Sequence, residues 1–274
     1  MRFVLLSPRR GRSVLDAEYD DFLRFSELMP YQLEQRALDT PDADFGDFTD
    51  VTGVFIGGSP FTITEPDTEG VHPLWQRAIT DKLVDFLNVA AGIATDTPHR
   101  RTWVDPVVST IPTFSVCYGA SMMAQALGGE ISQKYGETAG GSGVRKTNEG
   151  HRDELTAGLP DEFTVLTGHK DSIESLPAQA TLLLSGDTCP NQLYRLGSQV
   201  WISQFHPEMD AAGIARRVSH YGDNGYYDPA DKVAVFERFN SIDTATANSL
   251  LRRFVTIAAQ RRNIEIQPGF AAVG

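Results

Sequence analysis

The stretch Thr113-Phe114-Ser115-Val116-Cys117-Tyr118-Gly119 joins an apolar run directly to a segment of helical character. The run predicts a buried strand, and the helical segment Ala120–Leu127 ends at two glycines. Small residues two positions before and after Cys117 allow the backbone to double back sharply. A cysteine at this point lies at a helix N-terminus, which favours its thiolate. The stretch therefore predicts either a nucleophile or a buried cysteine that ends a strand.

Apolar runs and helical patterns alternate on both sides of this stretch. Further strands are predicted at Phe3–Leu6, Val54–Ile56, Phe163–Thr167, Thr181–Leu184, Gln192–Leu196 and Val200–Phe205. Further helices are predicted at Ala17–Leu28, from Pro73 to about Ala94, at Ala211–Tyr221 and at Asp243–Arg261. Strands separated by helices indicate an α/β fold with an open, mostly parallel sheet and helices on both faces.

We interpret residues 1–274 as one domain, with a C-terminal helical extension from about residue 211 and a frayed tail at 263–274. Segment 95–110 contains prolines and is predicted to be a surface loop or an insertion. Segment 140–147 is rich in glycine, as phosphate-binding loops are, but Arg145 stands where the last glycine is needed. We expect this segment to be a mobile loop.

The charge of the chain argues against several classes of partner. Its 24 Lys and Arg residues face 36 Asp and Glu residues, for a net charge of −12. Nucleic acids and anionic membranes attract clustered positive charge, which the sequence lacks. It also lacks the roughly 20 consecutive apolar residues that a membrane span needs, so we expect a soluble, cytoplasmic protein. Its two cysteines share no metal-binding spacing, so we predict no metal site and interpret Cys189 as a small buried residue.

A second candidate for chemistry is the segment Gln204-Phe205-His206-Pro207-Glu208, which follows an apolar run. Pro207 favours an extended conformation at His206, and residues two apart in an extended chain point to the same side. Glu208 can then orient the imidazole of His206, and the imidazole can act as a base for a cysteine nucleophile. The alternative is a His-Pro turn with a solvated glutamate.

A third candidate is the glycine-rich turn Gly57-Gly58-Ser59-Pro60 after the predicted strand Val54–Ile56. Such a turn can aim backbone N–H groups into a site, as an oxyanion hole requires. We expect the N–H groups near Gly58 and Ser59 to act together with that of Tyr118.

Taken together, these motifs resemble class I glutamine amidotransferases, the triad glutaminases that include the amidotransferase domain of GMP synthase. The resemblance runs from about Val54 to Glu208 with the correct order and spacing. Its motifs are Gly57–Pro60, Phe114–Gly119, Ala124–Gly129, Gly168–Asp171, Cys189–Gln192 and Gln204–Glu208. It implies a flavodoxin-like sheet, no cofactor, and attack by Cys117 on the side-chain amide of glutamine, with His206 as acid and base and Glu208 as its orienter.

The resemblance also implies how the substrate is held and where the ammonia goes. Gly168, His169 and Glu137 are candidates for contacting the α-amino and α-carboxylate groups of glutamine. Ser121 stands where the family usually has a glutamine that holds the substrate. No pyrophosphatase loop of a synthase occurs in the sequence, so we expect an ammonia-accepting synthase in trans.

Two other functions stay open at this stage. Because Ser121 is shorter than glutamine, the same triad could hydrolyse a γ-glutamyl amide or peptide in place of free glutamine. The chain could also be a binding module that keeps the fold without the activity, although packing alone does not require a thiol, an imidazole and a carboxylate together.

Overall fold

The computed structural model describes residues 1–65, 72–94, 103–221, 237 and 239–263. Within these residues the strands are β1 Phe3–Ser7, β2 Leu33–Ala37, β3 Gly53–Ile56, β4 Thr113–Val116, β5 Glu130–Ser132, β6 Glu137–Lys146, β7 Glu162–His169, β8 Ser172–Ser175, β9 Ala180–Gly186, β10 Leu193–Leu196 and β11 Val200–Ser203. The α-helices are α1 Arg12–Ser26, α2 Pro73–Ala91, α3 Tyr118–Ala126, α4 Ala211–Tyr221 and α5 Ala245–Arg261. Short 3-10 helices cover Pro30–Gln32 and Pro106–Thr110.

The described strands form a nine-stranded sheet in the order β2-β1-β3-β4-β11-β10-β9-β6-β7, and β5 pairs with β8 separately. The first five neighbours pair in parallel, from β2 through β11. The remaining pairs are antiparallel, so only β10 and β6 run against the other seven strands. The prediction of an open, mostly parallel sheet is confirmed.

Alternating residues of β1 show how helices cover both faces of the sheet. Val4 and Leu6 belong to a core that includes residues of α2 and α3, whereas Phe3 and Leu5 belong to a core with residues of α1 and α5. All four side chains are fully buried. Strands buried on both faces need apolar residues at every position, which explains why continuous apolar runs marked them in the sequence. The prediction of helices on both faces is also confirmed.

The carboxyl ends of β3, β4 and β11 meet at one edge of the sheet because these strands are parallel neighbours. Ligands bind at this edge in open α/β sheets. The turn after β3, the cysteine after β4 and the segment after β11 are the three candidate motifs. The topology therefore brings them to one place.

The structure corrects three details of the sequence interpretation. Segment 140–147 is not a loop, because residues up to Lys146 belong to β6, which pairs with both β7 and β9. Its glycines fit the sheet, since a Cβ on Gly141 would lie 3.2–3.3 Å from Ile242. The polar segment Leu33–Ala37 is an edge strand that lacks an apolar pattern, and α1 begins at Arg12, five residues before its predicted start.

Other predicted segments fall partly outside the described residues. Residues 95–102 and 264–274 lie there, whereas the described part of the predicted loop 95–110 includes the 3-10 helix Pro106–Thr110. Among the helices that the structure describes, none combines the length and the hydropathy needed to cross a bilayer.

Candidate active site

Cys117 occupies a sharp turn between β4 and α3. Its backbone has φ 55° and ψ −95°, a conformation that residues with a side chain rarely adopt. Its N–H donates to the carbonyl of Ser203 at 2.7 Å, and its carbonyl accepts from the N–H of Ala120 at 2.9 Å. A Cβ on Gly119 would overlap the hydroxyl of Ser115. The sharp turn at Cys117 therefore requires small residues around it.

His206 and Glu208 follow the end of β11, and their side chains face each other. The imidazole Nδ1 lies 2.7 Å from Glu208 Oε1, so Nδ1–H donates to the carboxylate. The N–H of His206 donates to the carbonyl of Leu166 at 2.8 Å and anchors the segment to β7. Glu208 is fully buried and His206 is 6% exposed. The imidazole also hydrogen-bonds Cys117, which completes a relay of thiol, imidazole and carboxylate.

The charges of this relay shift the pKa values of His206 and Glu208. Burial alone would lower the pKa of His206, but the negative charges of Glu208 and Cys117 outweigh it and raise that pKa from 6.5 to about 9. Burial opposes the ionisation of Glu208 as well, yet His206 and Arg217 hold the pKa of this carboxyl below its usual value. The arrangement favours an imidazolium at His206 at neutral pH.

The turn after β3 lies directly against the relay. A Cβ on Gly58 would stand 3.5 Å from the Cβ of Cys117 and 3.3 Å from Cε1 of His206. Glycine lets the backbone approach Cys117 and His206 this closely. Ser59 lines the same cavity, and its hydroxyl donates to the carbonyl of Pro8 at 2.9 Å. Tyr118 is the first residue of α3, where a backbone N–H has no acceptor within its helix.

A narrow cavity opens on Cys117 and His206. Its walls combine backbone, apolar and cationic groups from several elements: Arg9, Ser59, Cys117, Ala139, Thr167, Gly168, His206, Met209, Ile214 and Arg217. The sequence interpretation missed Arg9 and Arg217. Arg9 lies just past the carboxyl end of β1, at the binding edge of the sheet, which was a usable signal. Arg217 lies three positions after Ile214 on α4 and so shares its face.

The residues predicted to contact the substrate differ in whether they line the cavity. Gly168 lines the cavity. Ser121 is 2% exposed and does not belong to the cavity wall, and its hydroxyl has no hydrogen-bond partner among the described residues. Glu137 accepts hydrogen bonds from Ser142 at 2.7 Å and from Gln192 at 2.8 Å, and it lies 3.0 Å from His169 Nε2. The side chains of Glu137 and His169 therefore serve an internal network, beside the cavity.

The same network holds the described residues best placed to bind a metal. Ligand atoms of Glu137, His169 and Cys189 lie within 4.8 Å of one another. The carboxylate of Glu137 already has three hydrogen-bond partners, and Nδ1 of His169 lies 2.8 Å from the carbonyl of Asp171. Burial raises the pKa of Cys189 to about 12, which keeps it a neutral thiol, whereas a metal ligand must be a thiolate. The contacts thus fit an internal hydrogen-bond network without a cation.

Comparisons with known proteins agree with this geometry. Residues 92–213 match the sequence model of the family described as glutamine amidotransferase class-I. The chain is 32% identical over 109 residues to a protein of Thermoplasma acidophilum that is named as one subunit of a glutamine-hydrolyzing GMP synthase, covering 39% of this chain and 52% of the relative. It is 33% identical over 119 residues to the glutamine-hydrolyzing GMP synthase of Porphyromonas gingivalis, covering 42% of this chain and 22% of the relative. The chain thus spans about half or less of these relatives.

Solved structures share the fold over nearly the whole chain. A glutamine amidotransferase from Thermotoga maritima superimposes with a TM-score of 0.63 at 20% identity, covering 93% of this chain and 99% of that one. A glutamine amido transferase from Methylobacillus flagellatus superimposes with a TM-score of 0.64 at 20% identity and covers both chains fully. At this identity the likeness concerns the fold.

Proposed function

From the match of residues 92–213 to the class I glutamine amidotransferase family, we propose that the chain hydrolyses the side-chain amide of glutamine. The observation that carries the proposal is the buried relay of Cys117, His206 and Glu208 at the bottom of a cavity. The thiolate is the nucleophile, because the raised pKa of His206 keeps the imidazolium beside it.

The reaction proceeds in two halves. The sulfur of Cys117 attacks the amide carbon, and backbone N–H groups near Gly58, Ser59 and Tyr118 stabilise the oxyanion. His206 donates its proton to the leaving nitrogen, ammonia departs, and a glutamyl thioester remains on the sulfur. His206 then takes a proton from water, and the hydroxide attacks the thioester. Glutamate leaves, the thiolate is restored, and Glu208 holds the imidazole in orientation throughout.

Ammonia release from glutamine tests the proposal. The wild-type protein should release ammonia and glutamate in equal amounts, and Cys117→Ala should lose this activity by several orders of magnitude, about 10⁴-fold or more. Cys189→Ala is the matched control, because Cys189 is buried away from the cavity wall and should be dispensable for turnover. Equal rates for the wild type and Cys117→Ala would refute the proposal.

We further propose that the ammonia passes to a synthase on a separate chain. The similarity to a relative that is named as one subunit of GMP synthase supports a donor that works with a second protein. A synthase that accepts this ammonia should use glutamine when the wild-type protein is present and only free ammonium when Cys117→Ala replaces it. A candidate synthase that is served equally well by both proteins is not the acceptor.

Hydrolysis of a γ-glutamyl amide or peptide by the same triad is less well supported. It rested on Ser121, whose side chain is buried and does not line the cavity. Competition between glutamine and γ-glutamyl peptides separates the two substrates, and we expect free glutamine to have the higher kcat/KM.

A further inference from the structure

The carboxylate of Glu208 meets an arginine of α4 through Oε1, the same oxygen that hydrogen-bonds His206. Arg217 Nη2 lies 3.9 Å from Glu208 Oε1 and 3.9 Å from Asp21 Oδ2 of α1. All three residues are at least nine-tenths buried. The guanidinium of Arg217 therefore lies at equal distances from the carboxylates of Glu208 and Asp21.

Among the described residues, this group of side chains has unused hydrogen-bonding capacity. Glu208 uses Oε1 for His206, whereas its buried Oε2 has no hydrogen-bond partner. Nη1 and Nη2 of Arg217 also lack one, although both are buried. Unpaired buried polar groups are costly, and a buried carboxylate is more costly still. A shift of about 1 Å in the long Arg217 side chain would bring Nη2 within hydrogen-bonding distance of Glu208 Oε1.

The partners of Asp21 explain why Arg217 can serve Glu208. Asp21 Oδ1 already accepts a hydrogen bond from the half-exposed Arg216. Burial raises the pKa of Asp21 to about 7, so near neutral pH a large share of it is uncharged and competes weakly for Arg217. Glu208 stays ionised, because His206 and Arg217 hold its pKa low. Arg217 therefore interacts more strongly with the charged carboxylate of Glu208 than with Asp21.

We propose that Arg217 is a positioning residue that keeps the Glu208 carboxylate charged and aligned with His206. This inference rests on the proposed function, in which Glu208 orients the base. Arg217 does not touch the sulfur or transfer a proton. It stabilises the carboxylate, the carboxylate stabilises the imidazolium, and the imidazolium stabilises the thiolate of Cys117.

The charged groups around the relay fix the direction of the effect. Glu208 Oε1 faces both His206 and Arg217, and Asp21 lies next to Arg217 and Arg216. Near Gly58, the buried cation of Arg9 is paired with the carboxylate of Glu18. Removing the charge of Arg217 raises the pKa of Glu208, and it also weakens the thiolate of Cys117 in the shared cavity. Both effects destabilise the thiolate on the acid side.

The test is the pH dependence of alkylation of Cys117 by iodoacetamide, which needs no glutamine. Cys189 is fully buried and should not react in the folded protein. In Arg217→Met, the acid limb of the rate should move to higher pH by about one unit, the effect of losing a nearby opposite charge. In Arg217→Lys, which keeps the charge, the limb should stay close to that of the wild type.

Two further variants distinguish a role of Arg217 in positioning Glu208 from a role in docking α4 against α1. Arg24→Gln breaks the exposed 2.6 Å ion pair with Asp210, which ties α1 to the start of α4 without touching Glu208. Asp21→Asn removes the other carboxylate beside Arg217. Both should leave the acid limb in place. If Asp21→Asn moves the limb as far as Arg217→Met does, or if the folded Arg217→Met has the wild-type limb, the proposal is wrong.

Steady-state kinetics give an independent readout. Arg217→Met should lower kcat for glutamine by about tenfold or more and leave KM nearly unchanged, because a misaligned base costs rate more than binding. Arg217→Lys should recover most of kcat, and a kcat for Arg217→Met equal to that of the wild type would also overturn the proposal. A wild-type protein with normal alkylation but no glutamine hydrolysis would refute the proposed function and leave the alkylation result to judge Arg217.

Discussion

Cys117 holds a backbone conformation that costs energy, and its surroundings compensate for that cost. A non-glycine residue at φ 55° and ψ −95° is strained by about 1–3 kcal/mol. Hydrogen bonds from Cys117 N–H to Ser203 and from Ala120 to the carbonyl of Cys117 fix the turn from both sides. The strain exposes the sulfur to the cavity and places it beside His206.

Gly119 is the residue that this turn tolerates least well when changed. Gly119→Ala should lower glutamine hydrolysis by about 100-fold, because its Cβ would overlap the hydroxyl of Ser115 and displace the sulfur by about 1 Å. Ser115→Gly in the same chain should restore most of the activity, since the next nearest atom, on Ile202, is 3.7 Å away. Gly143→Ala is the control, because a Cβ there meets nothing within 4 Å. Unchanged activity in Gly119→Ala would show that the turn at Cys117 accommodates a larger side chain than its contacts indicate.

In the proposed mechanism, the raised pKa of His206 sets the upper pH limit of activity. The imidazolium must donate a proton to the leaving ammonia, and it persists until the pH approaches about 9. The rate of glutamine hydrolysis should therefore hold through about pH 8 and fall as the pH passes through about 9. An unperturbed histidine would lose its proton at about pH 6.5, so a fall centred there would contradict the ion pair.

The placement of single residues was partly predictable from sequence. Cys117, His206 and Glu208 stand in motifs at predicted strand ends, and the parallel pairing of these strands brings them together. Arg217 stands in no motif, and an arginine on a helix of mixed pattern usually has a solvated side chain. Only the docking of α4 against α1 and Glu208 shows that this side chain is 7% exposed.

Among the elements, α4 and β6 show what sequence patterns can and cannot predict. The apolar periodicity of α4 predicted the helix, and its ends agree with the prediction. β6 was missed because three glycines weaken a strand pattern, whereas its pairing with β7 and β9 supplies the order that local propensity does not. Pairing with neighbouring strands, more than local propensity, determines whether such segments form strands.

The contact between α1 and α4 should respond to pH through Asp21. Burial raises the pKa of Asp21 from 3.8 to about 7, so the folded protein loses stability as the pH rises from about 4 to about 7. Asp21→Asn removes this dependence, and its melting temperature relative to the wild type should therefore be higher at about pH 8 than at about pH 5. Asp16→Asn, on the exposed face of α1, should show the same difference at both pH values. A relative melting temperature for Asp21→Asn that is independent of pH would contradict the shift.

At the scale of the molecule, α5 is part of the central sandwich. Phe254 packs against the rings of Phe3, Phe55, Phe114 and Trp201, which come from four neighbouring strands. The helix was predictable, but nothing in its pattern indicates that it covers the middle of the sheet, because helix patterns do not specify a docking partner.

Phe254→Ala should therefore destabilise the whole fold. Phe254 is fully buried, and its truncation should cost about 3–5 kcal/mol in the free energy of unfolding measured with urea. Tyr31→Ala is the control, since Tyr31 is 82% exposed and should change stability by about 0.5 kcal/mol or less. A loss of under about 1 kcal/mol for Phe254→Ala would mean that α5 is peripheral to the fold.

The central claim is that Cys117 forms a glutamyl thioester, and mass spectrometry of the acid-quenched protein tests it most directly. The protein is mixed with isotopically labelled glutamine, denatured in acid during turnover and digested. The account predicts a labelled glutamyl group on the peptide that contains Cys117, absent from Cys117→Ala and unaffected in Cys189→Ala. Ammonia release without any label on Cys117, or label on Cys189 instead, would contradict it.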